Sequence, residues 1–468
     1  MKLSKENFSE WYNTVLEQMD IIDLRYPVKG MPVYKGWGFG IMKRSFDLLE
    51  DLLEKHSHEP MLFPLLIPED NLRKEGEHIK GFEEQVLWAS ALHPEEGERK
   101  LAIRPTSETA IHPMLSYWIR THADLPFKMH QTVCVYRYET KATKPLIRGR
   151  EVFWNEAHTA HAGKEDCERQ VKEAVDIYKD FFKAMCIPFK LVKRPDHDKF
   201  AGADYTIAFD AMMPDGKALQ GGTVHNLGEN FAKVYGLTYD DEKGEKKFMH
   251  QTSYGISMRA LALIVSIHGD DKGLVLPPLV APIQAIIVPI FFGDREAVIA
   301  KCRSVLQELK DKGIRVKIDA RDIRPGEKYY HWEGRGVPFR LEIGPKDIEK
   351  KQVVLVNRLG EKTVVPEEGA GDRILSSFVH LTEKLRGRAE AELKSRVKHV
   401  ESLEEAKTAM KKPCFVELGW CGSEECAEKI AQATGAELRG TLWGGKEHKE
   451  KCASCGKDGK LALVAKAY

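Results

Sequence analysis

Arginine and glutamate stand two residues apart at Arg137 and Glu139, and side by side at Arg150 and Glu151, in the stretch VYRYETKATKPLIRGREVFWNEAHTAH (residues 135–161). Read as an antiparallel hairpin with two-residue alternation, its first arm puts Gln131, Val133, Val135, Arg137 and Glu139 on one face. The second arm does the same for Arg150, Val152, Trp154, Glu156 and His158, and the loop between carries Lys141, Lys144 and Arg148. Fixed charges on an aromatic floor under a basic flap suit an anionic, planar ligand such as a nucleotide. The same stretch also reads as a plain hairpin with a solvated basic loop. In HQTSYGISMRALALIV, Arg259 falls early in an apolar helix, where a guanidinium needs an anionic partner. Near the end, Cys421, Cys426, Cys452 and Cys455 form C-x4-C-x25-C-x2-C. That paired short spacing fits a closed, structural zinc site of four thiolates. HTAH is a poor metal pair, because a continuing strand sends His158 and His161 to opposite faces.

These residues need a scaffold, and 468 residues are too many for one core, so two or three domains are expected. GIMKRSFDLLEDLLEKH predicts a helix with Ile41, Leu48, Leu49, Leu52 and Leu53 on its apolar face. MLFPLLIP predicts a strand interrupted by Pro64, which belongs at a sheet edge or an interface. In KALQGGTVHNL the pair Gly221–Gly222 predicts a bulge or a close backbone approach, with Thr223 and His225 on one face and Gln220 free to turn toward a nucleotide. Pro277, Pro278 and Pro282 mark a linker, and from Ile283 a strand–helix–strand rhythm begins. AIIVPIFF, IRVKID, VPFRLEIG and KQVVLVNR read as strands, and DREAVIAKCRSVLQELKDKG as a helix ending at Gly313. A charged, helix-rich stretch after Pro366 leads to the cysteines.

With 72 basic against 71 acidic residues, a nucleic acid could be met only by local patches, not by a global field. The first twenty residues have no apolar core of a signal peptide. The longest apolar stretch, GLVLPPLVAPIQAIIVPIFFG, is broken by prolines and predicts no membrane span. Cys134, Cys167, Cys186, Cys302 and Cys414 are scattered and expected to stay thiols.

Taken in order, the helix, the Pro-bearing strand, the Arg-x-Glu hairpin and the helix-borne Arg259 resemble the three motifs of class II aminoacyl-tRNA synthetases. The likeness is closest to prolyl-tRNA synthetases of the archaeal and eukaryotic-like type and covers essentially the whole chain. RPTSE (Arg104–Glu108), NEAHTAH, LQGGTVHNLGENF (Leu219–Phe231) and the cysteine tail ending in Tyr468 narrow it. No large insertion separates the hairpin from Arg259, so the editing module of the bacterial type is expected to be absent. The resemblance implies an α/β multidomain chain. Residues 1–276 would form an antiparallel-sheet catalytic domain with flanking helices, 283–386 an α/β anticodon-binding domain, and 387–468 an α+β zinc-binding domain. It implies activation of L-proline with ATP and Mg²⁺ to prolyl-adenylate and pyrophosphate, then transfer to the 3′ end of tRNA(Pro). A cytoplasmic homodimer holding structural Zn²⁺ is implied as well.

By position, Arg137 resembles the residue that reaches both the proline carboxylate and the α-phosphate; Arg137 and Arg259 are the implied catalytic residues. Glu139 resembles the acceptor for the adenine amino group. Arg148 and Arg259 resemble the γ-phosphate and adenine-side contacts of a bent ATP, with Gln220, Thr223 and Ser257 as further ATP-site positions. Thr106 and Glu108 match the acceptors for the secondary ammonium of proline; Trp154, His158, His225 and Phe82 match the walls around its ring. Glu333, Arg340 and Lys362 match the readers of the two guanines shared by prolyl anticodons. Tyr468 resembles a C-terminal tyrosine whose carboxylate approaches the catalytic domain. One departure stands out: where the class usually stacks a Phe on adenine this chain has Val152, with Phe153 on the other face. Missing methylenes cost a competitor only about 1–3 kcal/mol, so misactivation of alanine and cysteine is expected. Threonyl-, histidyl- and glycyl-specific enzymes share the architecture; a non-catalytic paralogue would typically have lost Arg137, Glu139 and Arg259.

Overall fold

A computed structural model describes residues 3–74, 85–89, 100–292, 294–444 and 449–468. Helix α1 (Gly36–Lys55) buries Ile41, Ser45, Leu49 and Leu53, one residue per turn, as a 3.6-residue period requires. Leu48 and Leu52 are only partly covered at the margin of this stripe. After strand β1 (Glu59–Pro60), which adds in parallel to the main sheet, the chain leaves that sheet. Leu66–Pro68 pairs instead with Leu101–Ile103 in a separate small sheet. The single strand expected around Pro64 is therefore two, because proline has no N–H to give to a ladder. Helix α2 (Glu108–Trp118) follows, then the hairpin strands β2 (Phe127–Tyr136) and β3 (Glu151–His161).

Strands β4 (Lys190–Lys193), β5 (Tyr205–Met212), β6 (Ala218–Gly228) and β7 (His250–Ser257) follow helix α3 (Lys164–Ala184), which packs on β5, β6 and β7. Its Tyr178 and Phe182 rings meet Phe209 of β5 at 5.8 and 5.3 Å, and Tyr178 meets Tyr254 of β7 at 5.8 Å. Such fully buried rings are worth about 1.5–3 kcal/mol each, and they fix the sheet against the helix. The β5–β6 register jumps from Phe209↔Gly222 to Asp210↔Gln220, leaving Gly221 as the bulged residue. A Cβ there would stand 2.8 Å from the buried Phe182 ring, so the packing behind the bulge requires glycine. Helix α4 (Arg259–His268) is apolar nearly all round and buried accordingly.

The proline-rich connection is not a loose linker. Val275, Leu276, Val280 and Ala281 are buried, and Arg315 donates to the carbonyls of Pro278, Leu279 and Ala281 at 2.9, 2.7 and 3.0 Å. Beyond it come β8 (Ala285–Pro289), α5 (Arg295–Asp311), β9 (Val316–Ile318), α6 (Pro325–Gly334), β10 (Phe339–Ile343), β11 (Gln352–Asn357) and β12 (Lys362–Pro366). The sheet order is β9-β8-β10-β11-β12, parallel among the first three and antiparallel after.

Helix α7 (Ala370–Ser395) runs without interruption through the boundary expected at 386–387. The tail strands are β13 (Val397–His399), β14 (Phe415–Trp420), β15 (Glu437–Leu442), β16 (Lys449–Lys451) and β17 (Asp458–Ala465). Strand β15 pairs with β4 through Thr441↔Lys193 and Leu442↔Val192. One sheet therefore runs β13-β14-β17-β15-β4-β5-β6-β7-β3-β2-β1 across the tail and the N-terminal layer. Gly440, at φ +127°, makes the junction possible, since a Cβ there would overlap the Lys193 carbonyl. Among the described residues no helix is long and apolar enough to cross a membrane.

Candidate active site

The hairpin forms as read, with Val133 opposite Trp154 and Val135 opposite Val152. Past Tyr136 the first arm leaves the ladder, and the Tyr138 N–H turns aside to the Gln85 carbonyl at 2.7 Å. Each of the four charges answers to a group outside its own pair. Arg137 donates from Nε to the Pro105 carbonyl at 2.9 Å and lies 5.5 Å over the Trp154 ring. Glu139 accepts from Arg148 Nη1 at 3.2 Å. Arg150 lies over Tyr138 at 4.2 Å, and Glu151 accepts from the Tyr136 hydroxyl at 2.8 Å.

A cavity of about 480 Å³ opens over this floor. The structure brings to its wall Thr106, Glu108, Arg137, Glu139, Arg148, Trp154, Gln220, Thr223, His225, Ser257 and Arg259. Val152 lines it too, while Phe153 packs edge-on against Phe46 at 4.9 Å on the opposite face. Arg259 is aimed by the Ile147 carbonyl (2.9 Å to Nε) and the Gln220 carbonyl (3.3 Å to Nη1), and its N–H donates to Ser257 Oγ at 3.3 Å. Burial, and then the charges of Arg148 and Arg137, bring the Arg259 guanidinium down to about 10. Cations held this close in a cleft are relieved by a polyanion, and this end of the cavity suits one.

The other end is acidic. Glu108, the first residue of α2 and 4% exposed, accepts from the Thr106 hydroxyl and from Ser253 Oγ at 3.3 Å. Glu156 accepts from Ser107, from Gln131 Nε2 at 2.9 Å and from His158 Nε2 at 3.1 Å. His225 is kept neutral, lowered to about 3 by burial and then by the charge of His158. Its Nδ1 meets Thr206 Oγ1 at 2.9 Å and Phe200 packs on it at 4.7 Å. Trp154 Nε1 is a buried donor with no partner among the described residues. Buried carboxylates between apolar walls suit a compact cation with an apolar body.

His158 differs from expectation. It lies behind the wall rather than on it, held on Glu156, because alternation tells which face a residue takes but not how deep it sits. Phe82 lies outside the described residues. Glu156, Ser253 and Arg194 line the cavity and were not singled out; only Glu156 had a signal, its place between Trp154 and His158 on the same face.

The buried pair has a pH signature. Burial alone would lower His158, but the hydrogen bond and charge of Glu156, with Glu108, outweigh it and raise the imidazole above its ordinary 6.5. Burial would raise Glu156, but His158, Ser107 and Gln131 bring it below its ordinary 4.5. A raised histidine contributes stability that is complete below about pH 6.5 and lost as pH climbs through its folded value. The lowered carboxylate contributes stability present above about pH 4.5 and lost as pH falls through its own folded value. The His158 ring is therefore expected to titrate above 6.5 by NMR in the native protein and below it in Glu156→Gln, where burial prevails. Identical titration in both proteins would contradict the pairing.

In the second domain Arg340 meets Glu342 at 2.9 Å and lies 3.8 Å over Tyr329, and Lys362 meets Glu342 at 3.6 Å. Glu333 is not drawn into that group; its carboxylate bonds Lys272, next to the connection, at 2.9 Å. The thiols of Cys421, Cys426, Cys452 and Cys455 lie within 4.8 Å of one another, with Cys421 and Cys455 Sγ 3.8 Å apart. Four thiolates at about 2.3 Å around tetrahedral zinc would stand about 3.8 Å apart, so the cluster fits the ion. Tyr468 donates from its hydroxyl to Asp215 at 2.6 Å, and its backbone oxygen accepts from Arg148 Nη2 at 3.2 Å.

Comparison with known proteins matches each part. Residues 89–268 match the tRNA synthetase class II core domain (G, H, P, S and T), 284–376 the anticodon binding domain, and 403–468 the prolyl-tRNA synthetase C-terminal domain. The proline–tRNA ligase of Methanoculleus marisnigri is 49% identical over 471 residues, covering 99% of this chain and 98% of that one. The Thermococcus kodakarensis ligase is 46% identical over 472 residues, covering 99% and 98%. In structure, the Giardia lamblia prolyl-tRNA synthetase in complex with prolyl-adenylate superposes with a TM-score of 0.96 at 35% identity, covering 100% of this chain and 99% of its own. The Cryptosporidium parvum enzyme complexed with halofuginone and AMPPNP superposes at 0.94 and 32% identity, with 99% of each chain covered. With the likeness unbroken from end to end and a family model for each part, this chain belongs to the prolyl-tRNA synthetases, the class II ligases that activate proline with ATP and charge tRNA(Pro).

Proposed function

We propose that activation proceeds here by positioning and charge, with no protein nucleophile or base. The observation carrying this reading is one cavity with guanidiniums at one end and buried carboxylates at the other. Glu108 and Thr106 take the proline ammonium, with Trp154 and His225 as walls of the ring. Arg137 reaches the proline carboxylate and the α-phosphate together. A carboxylate oxygen attacks the α-phosphorus, the new O–P bond forms as the bond to pyrophosphate breaks, and the charge spreading over the phosphoryl oxygens is stabilised by Arg137. Glu139 reads the adenine amino group, Arg148 and Arg259 hold the γ-phosphate and adenine side, and Gln220, Thr223 and Ser257 complete the ATP site. Val152 leaves the adenine a thinner stack on that side. Mg²⁺ bound with ATP would supply charge neutralisation on the phosphates. The 3′-hydroxyl of tRNA(Pro) then takes the prolyl group and releases AMP.

Amino-acid-dependent ATP–pyrophosphate exchange over all twenty amino acids tests this. Proline is expected to lead, with alanine and cysteine measurable above background because the pocket cannot strongly reject them. Exchange led by another amino acid would discard the pocket described.

The working parts are 1–276, 283–386 and 387–468, the last two joined by the rigid helix α7. Arg340 and Lys362, with Glu333, are the proposed readers of the anticodon guanines, and Tyr468 docks the tail on the flap through Arg148. The four cysteines hold structural Zn²⁺. Purified protein is expected to carry about one zinc per chain, because thiolate sites bind with about 10–16 kcal/mol, and Cys452→Ser should lose it and melt the tail at lower temperature. Full-length protein with negligible zinc would refute the assignment. A second copy of this chain covers the segment around Pro64, where Leu62 is 81% exposed and Leu65 and Leu66 are exposed as well. Leu62→Glu is expected to shift the sedimenting species from dimer to monomer; a native monomer would refute the pairing. A cytoplasmic setting is supported by the reaction, whose product feeds translation.

A further inference from the structure

Beneath the ATP side of the cavity lies a polar cluster that ties the tail to the catalytic sheet. Asp210 of β5 is fully buried, and the side chains of Arg194 and Arg439 are 2% and 8% exposed. Arg194 Nη1 and Nη2 donate to the two Asp210 oxygens at 3.2 and 2.9 Å. Arg439, which comes from β15 of the tail, donates from Nε to Asp210 Oδ2 at 2.9 Å. The cluster is closed from the other side as well, since Arg194 Nη1 reaches the Arg439 carbonyl at 3.0 Å. Glu437 takes Arg439 Nη1 at 2.8 Å, so the second cation also has a carboxylate.

The Arg194 guanidinium does one thing more. Its Nη2 donates to Gln220 Oε1 at 2.8 Å. Guanidinium nitrogens have no acceptor capacity, so the Gln220 amide can face Arg194 only with its oxygen. Its NH2 then points elsewhere, and among the described residues it has no hydrogen-bond partner. Gln220 directly precedes the Gly221 bulge, lines the cavity, and gives its own carbonyl to Arg259 Nη1 at 3.3 Å. Both ends of this residue are therefore set by arginines.

We propose that Arg194, seated by Asp210 and by Arg439 of the tail, is a positioning residue that turns the Gln220 amide so its NH2 donates to an oxygen of the bound nucleotide. The tail thereby takes part in ATP binding through a side chain that touches neither substrate. A cluster serving only to hold two domains together would use Asp210, Arg439 and Arg194, but would have no need of the Gln220 contact. The proposal rests on the reading of Gln220 as a nucleotide contact, and the test separates the two.

Pyrophosphate exchange on full-length Arg439→Met, Gln220→Met and their double variant gives KM for ATP, KM for proline and kcat in each. Arg439→Met is expected to raise KM for ATP about tenfold and leave KM for proline within about twofold. The double variant should be no worse than Gln220→Met, because Arg439 acts through that amide. Gln220→Glu keeps an acceptor for Arg194, surrenders the donor and leaves the domain junction alone; it should raise KM for ATP at least tenfold. Arg439→Lys should recover part of the loss. Wild-type KM for ATP in both Gln220 variants would overturn the nucleotide reading and the proposal together. Impaired Gln220 variants beside an unaffected Arg439→Met, or multiplying losses in the double variant, would overturn the coupling alone. A parallel fall of kcat and of both affinities in Arg439→Met, with a lowered melting temperature, would also overturn it.

Discussion

Arg137→Ala is expected to lower proline-dependent pyrophosphate exchange by about 10³-fold, equivalent to about 4 kcal/mol of transition-state stabilisation. The reason lies in what surrounds the guanidinium. Its Nε is committed to the Pro105 carbonyl and its Cζ lies over the Trp154 ring, so the fork is held before any substrate arrives. Burial pulls its pKa down, and the charges of Glu108, Glu156 and Glu139 pull the other way. The cation is thus kept within a nest of carboxylates that can neutralise its charge but cannot replace the two anionic groups proposed to meet there. Those groups, a carboxylate and an α-phosphate, repel each other most as they reach bonding distance, which places the missing stabilisation in kcat rather than in KM. Arg137→Lys should recover little, because one ammonium cannot serve two oxygens in a plane and loses the stacked seat on Trp154. Exchange within tenfold of the native rate in a folded Arg137→Ala protein would remove Arg137 from the centre of the reaction.

The parts of this site legible in sequence were those that rest on local geometry. Strand alternation alone put Val152 in the cavity and Phe153 against Phe46, and the Gly221–Gly222 pair announced the bulge that frees Gln220. The cysteine spacing announced a cluster whose thiols do converge. What stayed hidden depends on distant partners. Strand β15 joins the catalytic sheet at β4 because Gly440 lets two backbones touch, and nothing in either segment names the other. Arg194, Asp210 and Arg439 have no common spacing and meet only in that joined sheet. His158 shows a related limit. Its face was right, yet Glu156 draws the imidazole behind the wall, and depth is decided by ion pairing rather than by periodicity. Glu333 is similar: its helix end lies near the connection, where Lys272 supplies a counter-charge that no motif foretells.

Glu108→Gln should raise KM for proline by about 10²–10³-fold while KM for ATP stays within about threefold. Removing one partner of a buried ion pair costs about 3–5 kcal/mol, since the remaining charge is left in a poor solvent, and here the stranded charge would be the proline ammonium. Glu108 sits in a setting that suits this proposed task. It is nearly inaccessible to bulk water, and Thr106 and Ser253 each donate to a different one of its oxygens. Those donors fix the carboxylate plane without cancelling its charge. Glutamine preserves the shape and one acceptor, but it brings an NH2 group that must face either the ammonium or a hydroxyl already donating. The substitution therefore isolates charge from size. Every amino acid carries the ammonium, so the ratio of proline to alanine exchange should hold within about threefold even as both fall. Narrowing a ring wall would instead change that ratio, through differences of about 1–3 kcal/mol per methylene. A Glu108→Gln enzyme that lost proline selectively, or lost ATP affinity in equal measure, would show that Glu108 shapes the ring pocket or supports Arg137, and that the ammonium is held elsewhere.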